Sequence, residues 1–198
     1  MENLKKHTEV ECKYRIEETD LFKVKLHMEK IENLVKFTYV DGPDSYYINK
    51  DGDFLRYRKP NNSEDGRAEL TMKKKMKDAK DNVIRREWNI RVDHTPEETI
   101  TDMIENLGFS FNFKIFKVCH IYKYADATLV FYTVADITDS TAKKIDHFVE
   151  IEVDEDTIHE KTEEQAWEVI KKYETILAAV GISAQKRMKK SLFELYRN

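Results

Sequence analysis

The sequence predicts an α+β protein, a large antiparallel sheet assembled hairpin by hairpin and curled into a closed barrel with helices packed outside. Three observations predict it. Charged residues recur at alternate positions on at least five candidate strands, apolar residues fill the other positions of several of them, and helices with apolar stripes are available to cover that apolar face. Side chains at i, i+2 and i+4 of a strand share one face. Glu9, Glu11 and Lys13 therefore point one way, and Val10, Cys12 and Tyr14 the other. The same alternation groups Arg56 with Arg58, Glu69 with Thr71 and Lys73, Arg85 with Glu87, and Glu150 with Glu152. An open sheet would turn such a face to water. A closed one gathers the charges in a lumen, where unpaired charge is costly and calls for a metal ion and a polyanion to balance it.

Each element has its own local cause. The first strand covers residues 8–16. Thr19 and Asp20 are N-cap candidates for a helix over 21–31, whose Leu21, Val24 and Met28 form an apolar stripe. Strands over 34–40 and 46–49 flank an expected turn at Asp41, Gly42, Pro43 and Asp44, and Asp51-Gly52 makes a tight hairpin into a strand over 54–59. A polar hairpin loop over 60–67 precedes a strand over 68–75, and 77–82 turns into the next, over 83–92. Thr95, Pro96 and Glu98 read as the cap and first turn of a helix that runs to Leu107 and stops at Gly108. Long strands follow over 111–124 and 128–136, then a polar excursion over 139–144 and a strand over 148–153. A second capped helix over 162–180, closed by Gly181, carries one broad apolar face from Ala166 to Leu177. The segment 186–196 docks as a final short helix. With no linker, repeat or low-complexity stretch, residues 1–198 are expected to form a single domain.

Composition narrows the function classes. Thirty-eight acids and thirty-four bases nearly cancel to a net charge of −4, so no global field points to duplex nucleic acid or an anionic membrane surface. Met1 to His7 lack the apolar core of an export signal, and no apolar run is long enough to span a bilayer. Cys12 and Cys119 have neither zinc-ligand spacing nor the density of a disulfide framework. A soluble, cytoplasmic protein is expected, with its charges acting locally.

Glu9-Val10-Glu11-Cys12-Lys13 resembles the ExExK signature of the CYTH superfamily, the triphosphate tunnel metalloenzymes. That group includes inorganic and thiamine triphosphatases, class IV adenylyl cyclases and RNA triphosphatases. Later segments fit in order: Leu55-Arg56-Tyr57-Arg58 resembles the LRxR strand, Leu70-Thr71-Met72-Lys73 the LTxK strand, Arg85-Arg86-Glu87 the RxE strand. Phe148-Val149-Glu150-Ile151-Glu152 is similar to the late FxExE strand, and the segment from Lys190 to Leu195 to the C-terminal docking helix. The resemblance implies an eight-stranded triphosphate tunnel. Glu9, Glu11, Glu150 and Glu152 would hold Mg²⁺ or Mn²⁺, and Lys13, Arg56, Arg58, Lys73, Arg85 and Lys117 would grip the phosphates. Lys13 and Glu87 would serve the chemistry, Glu87 as a metal or water-positioning residue. Two departures stand out: Asn89 occupies the place of a further acid, and Cys119 or His120 stands where a second base would follow Lys117. The implied activity is metal-dependent hydrolysis of an inorganic or organic triphosphate-bearing small molecule. The alternatives are a class IV adenylyl cyclase and a non-catalytic polyphosphate- or nucleotide-binding module. The oligomeric state stays open, a homodimer included.

Overall fold

The computed structural model describes residues 4–61, 67–75, 84–139, 144–153 and 163–197, with side chains for all of these except 4–9, 73–75, 84–86 and 163. Nine strands are arranged in chain order: β1 Leu4–Ile16, β2 Lys36–Asn49, β3 Phe54–Arg58, β4 Glu69–Lys75, β5 Ile84–Arg91, β6 Phe109–Lys123, β7 Ala127–Asp136, β8 Ile145–Val153 and β9 Arg187–Met188. Four α-helices, α1 Glu18–Met28, α2 Glu97–Asn106, α3 Glu163–Ala178 and α4 Leu192–Tyr196, and a 3₁₀ turn at Ala184–Lys186 complete the described elements. Among the described residues no helix is long and apolar enough to cross a membrane.

The strands hydrogen-bond in the order β5-β4-β3-β2-β6-β7-β8-β1, and β1 pairs again with β5. The closing step lies within β1. Its first half pairs antiparallel with β5 from Leu4↔Ile90 to Val10↔Ile84, and its second half pairs with β8 from Glu11↔Glu152 to Ile16↔His147. This handover joins the two ends of the sheet into an eight-stranded antiparallel barrel, which removes the exposed strand edges an open sheet would carry. The short β9 pairs with β1 at Lys13 and Tyr14.

Alternation assigns the faces. Val10, Cys12, Tyr14 and Ile16 of β1 pack outward against α1 and α3 through Val24, Met28, Ala166, Val169, Ile170, Tyr173 and Leu177. Leu55, Tyr57 and Leu70 pack outward against Ile100 and Ile104 of α2. A third cluster fills one end of the interior: Tyr46, Phe113, Ile115, Tyr132, Val134 and Phe148 meet Leu192, Phe193 and Tyr196 of α4. Ser191 caps α4, accepting from the Glu194 backbone N–H while Glu194 accepts from the Ser191 N–H. Tyr196 ties the helix to the barrel by donating to buried Asp146 at 2.5 Å.

Several sequence expectations are corrected. No turn interrupts residues 41–44, because β2 runs unbroken from Lys36 to Asn49 and pairs with β6 throughout. Gly42 serves a close approach instead. Its φ is +151°, and a Cβ there would lie 2.6 Å from the Lys59 carbonyl oxygen and 2.8 Å from Pro60 Cα. The end of β3 crosses that point, with Lys59 N–H donating to the Pro43 carbonyl and Asn61 N–H to that of Asp41. The helix expected over 21–31 begins at Glu18, with Thr19 and Asp20 inside its first turn. Asp20 accepts from the Glu17 N–H, so the cap lies earlier in the chain than those residues. Thr95 does not cap α2, whose N-cap is Pro96. The Asp51-Gly52 hairpin forms as expected: Gly52 sits at φ +83° and Asn49 Oδ1 accepts from the N–H groups of Asp51 and Asp53. The turn over 77–82, most of the loop over 60–67 and the Thr162 cap lie outside the described residues.

Candidate functional site

Inward-facing positions of all eight barrel strands line a cavity of about 260 Å³: Glu11 and Lys13 from β1, Tyr46 from β2, Arg56 from β3, Thr71 from β4, Glu87 from β5, Lys117 from β6, Val130 from β7, and Glu150 and Glu152 from β8. Tyr46, Phe54 and Phe193 form its apolar floor, with Phe193 stacked on Phe54 at 4.3 Å between ring centroids. The barrel thus brings together the predicted residues Glu11, Lys13, Arg56, Arg58, Glu87, Lys117, Glu150 and Glu152. The side chains of Glu9, Lys73 and Arg85 lie outside the described residues. Their backbones pair Glu9 with Arg85 across β1 and β5, and Lys73 with Glu87 across β4 and β5.

Around the β1–β8 seam the carboxylates face one another. Glu11 is the register partner of Glu152, and Lys13 that of Glu150. Lys13 Nζ lies 2.7 Å from Glu150 Oε1, and the Tyr132 hydroxyl donates to the same oxygen at 2.8 Å, so Glu150 Oε2 takes part in neither bond. Burial would raise the Glu150 carboxyl, but Lys13 holds it below its ordinary range despite the charge of Glu11 nearby. Like charges placed opposite one another across two strands repel, and a hard divalent cation matches oxygen donors of this kind. Among the described residues, however, no three His, Cys, Asp or Glu side chains converge as they stand on a metal-binding geometry.

Cationic side chains enter the same lumen from β3 and β6. Arg56 Nη2 donates to Thr71 Oγ1 at 2.8 Å and lies 3.3 Å from Glu69 Oε1, while its Nε is buried with no hydrogen-bond partner among the described residues. Lys117 is buried with its ammonium 3.9 Å above the centre of the Tyr132 ring, and no ion pair to a described carboxylate accompanies that contact. Burial pulls the Lys117 ammonium below its ordinary range. Glu87 accepts from Asn89 Nδ2 at 2.7 Å, so the residue standing in place of a further acid steadies its neighbour.

Two residues of the site escaped sequence reasoning. Asp44 is fully buried and receives a fork from Arg58, Nε to Oδ1 at 2.7 Å and Nη2 to Oδ2 at 2.8 Å. Burial would raise its carboxyl, but Arg58, with Arg56 and Lys117, brings it down to about 2. The available signal was its two-residue spacing from inward-facing Tyr46. Tyr132, which bridges Glu150 and Lys117, has the same spacing from Val130, within a run of apolar residues that hides it.

A second chamber of about 330 Å³ shares Arg58, Glu69, Lys117, Cys119 and Ile121 with the first. Its remaining walls are Val40, Asp41, Gly42, Pro60, Arg67 and Arg91.

A closed antiparallel barrel with cations and carboxylates facing across its lumen defines the tunnel class of protein folds. The chain belongs to the CYTH family: the CYTH domain model matches residues 7–177. The PH1012 protein of Pyrococcus horikoshii superimposes with a TM-score of 0.73 at 25% identity, over 96% of this chain and 99% of that one. HpAC1 of Hippeastrum, an adenylyl cyclase candidate described as having a dominant triphosphatase activity, superimposes with a TM-score of 0.60 at 13% identity, over 96% and 94% of the two chains. The capping enzyme triphosphatase of Mimivirus does so with 0.59 at 13% identity, over 90% of each. No curated protein sequence matches.

Proposed function

We propose that the protein is a divalent-metal-dependent hydrolase of inorganic or organic triphosphates. The observation that carries this reading is one lumen that gathers cationic groups, with buried Lys117 and an Arg56 Nε that has no partner among the described residues, together with the carboxylates of Glu11, Glu150 and Glu152. Arginine and lysine held in a low-dielectric cavity recognise phosphate oxygens strongly. Glu11, Glu150 and Glu152, with Glu9 two residues before Glu11, would hold Mg²⁺ or Mn²⁺. When bound, the cation supplies charge neutralisation and lowers the pKa of water. The chain's own residues do the rest. Arg56 and Arg58 bind the phosphate chain, Lys117 adds a positive charge at its side, and Lys13 stabilises charge that grows on the attacked phosphoryl group. Glu87, steadied by Asn89, orients the water.

The second chamber favours an organic triphosphate over a bare inorganic one, because it offers room beside the phosphate site for a further group. The test is incubation of purified protein with Mg²⁺ or Mn²⁺ and a panel of triphosphates, with separation of phosphate, pyrophosphate and cyclic nucleotide. Release of phosphate is the expected result. Cyclic nucleotide with pyrophosphate would assign the cyclase reaction instead, and binding without turnover would assign a binding module.

A further inference from the structure

Arg58 is already committed before any ligand arrives. Asp44 takes two of its five N–H donors in a planar fork, and the side chain still lines both chambers. Asp44 itself has little freedom. It is fully buried, and its backbone is paired on both edges of β2, with Arg58 on one side and Ile115 on the other. Across the barrel wall the register continues as Asp44, Arg58, Glu69 and Arg91, charges of alternating sign on four neighbouring strands. We infer that Asp44 is a positioning residue of the triphosphate site, acting through Arg58 by fixing the plane of its guanidinium so that the remaining N–H groups face the lumen.

This rests on the triphosphate reading and adds a consequence that reading lacks. As a bare charge, Asp44 repels a polyanion, and removing it would tighten phosphate binding. As a clamp, it spares Arg58 the loss of side-chain freedom on binding and keeps its donors aimed, so removing it weakens binding. The two roles predict opposite signs. Calorimetric titration with inorganic tripolyphosphate, without added metal and at fixed ionic strength, separates them in the full chain, Asp44→Asn, Arg58→Lys and the double variant. Arg58→Lys keeps the charge and leaves Asp44 an ammonium partner, but cannot form the fork, so it serves even where Asp44→Asn does not fold. The expected result is binding weakened about tenfold or more in each single variant, the scale of a charged hydrogen bond. The double variant should be little worse than either single one, because both remove the same fork. Equal or tighter binding in folded Asp44→Asn, or unchanged binding in Arg58→Lys, overturns the inference. A wild-type protein that binds tripolyphosphate neither without metal nor with Mg²⁺ overturns the triphosphate reading and this inference together, and is distinguishable because it needs no variant.

Discussion

Lys13 and Glu150 face each other across β1 and β8 at 2.7 Å, next to the carboxylate pair Glu11 and Glu152. In the proposed reaction Lys13 would bond to charge that develops at the attacked phosphoryl group more than to the resting substrate, so Lys13→Ala should lower kcat by about 100-fold or more and change KM far less. Steady-state kinetics on two unrelated triphosphates checks this, and an unchanged kcat would refute the role. Asp44 carries a prediction in pH. Its carboxyl lies at about 2 in the folded protein against an ordinary 3.8, so its contribution to stability is fully present above about 4. That contribution, about 2 kcal/mol, is lost as pH falls through about 2. Thermal unfolding of wild type and Asp44→Asn from pH 6 to pH 2 should therefore converge on the acid side; parallel curves would show that Asp44 is not the group responsible. Lys13, Glu11, Arg56 and Glu150 were legible because alternating charge within a strand is a local pattern. Asp44 was not, because Asp-Gly-Pro-Asp has the composition of a turn, and its partner lies fourteen residues on in a different strand.

The elements repeat this division between local and distant causes. Hairpin strands β3, β4 and β5, and helices α2 and α3, follow from alternation, helical periodicity and terminal glycines, so their identity could be read directly. The length of β2 could not. Gly42 and Pro43 break an isolated strand, yet here Pro43 still offers its carbonyl to Lys59 N–H, and Gly42 makes room for the backbone of Lys59 and Pro60. Tertiary approach overrides turn propensity at this point. Gly42→Ala should accordingly destabilise the protein by about 1–3 kcal/mol, from the unfavourable positive φ and a collision with backbone that has no flexible side chain to move aside. The denaturant midpoint measures it. A midpoint equal to that of wild type would mean that β2 and the end of β3 can separate freely, contrary to the register that lets Asp44 reach Arg58.

Closure belongs to the whole molecule, since it pairs Leu4 with Ile90 and Glu11 with Glu152, positions far apart in the chain. Sequence alternation announced that charges would share a face; only the handover of β1 from β5 to β8 turns that face into a lumen where they confront one another. The barrel therefore encloses an electrostatic problem that a net charge of −4 does not reveal: buried Lys117 and the guanidinium of Arg56 enter one lumen from the β6 and β3 walls, and Glu11, Glu150 and Glu152 from the β1 and β8 walls. A ligand that satisfies both walls binds the folded barrel and has no equivalent site in the unfolded chain, so its binding free energy adds to stability. At a hundredfold excess over Kd the gain is about 2.7 kcal/mol, which in a chain of this size raises Tm by about 5–11 °C. Thermal unfolding with Mg²⁺ and tripolyphosphate together should show that rise. Sulfate at the same ionic strength, which cannot span the lumen, should produce little of it, and equal shifts with the two anions would reduce the effect to general screening and remove the support for a triphosphate site.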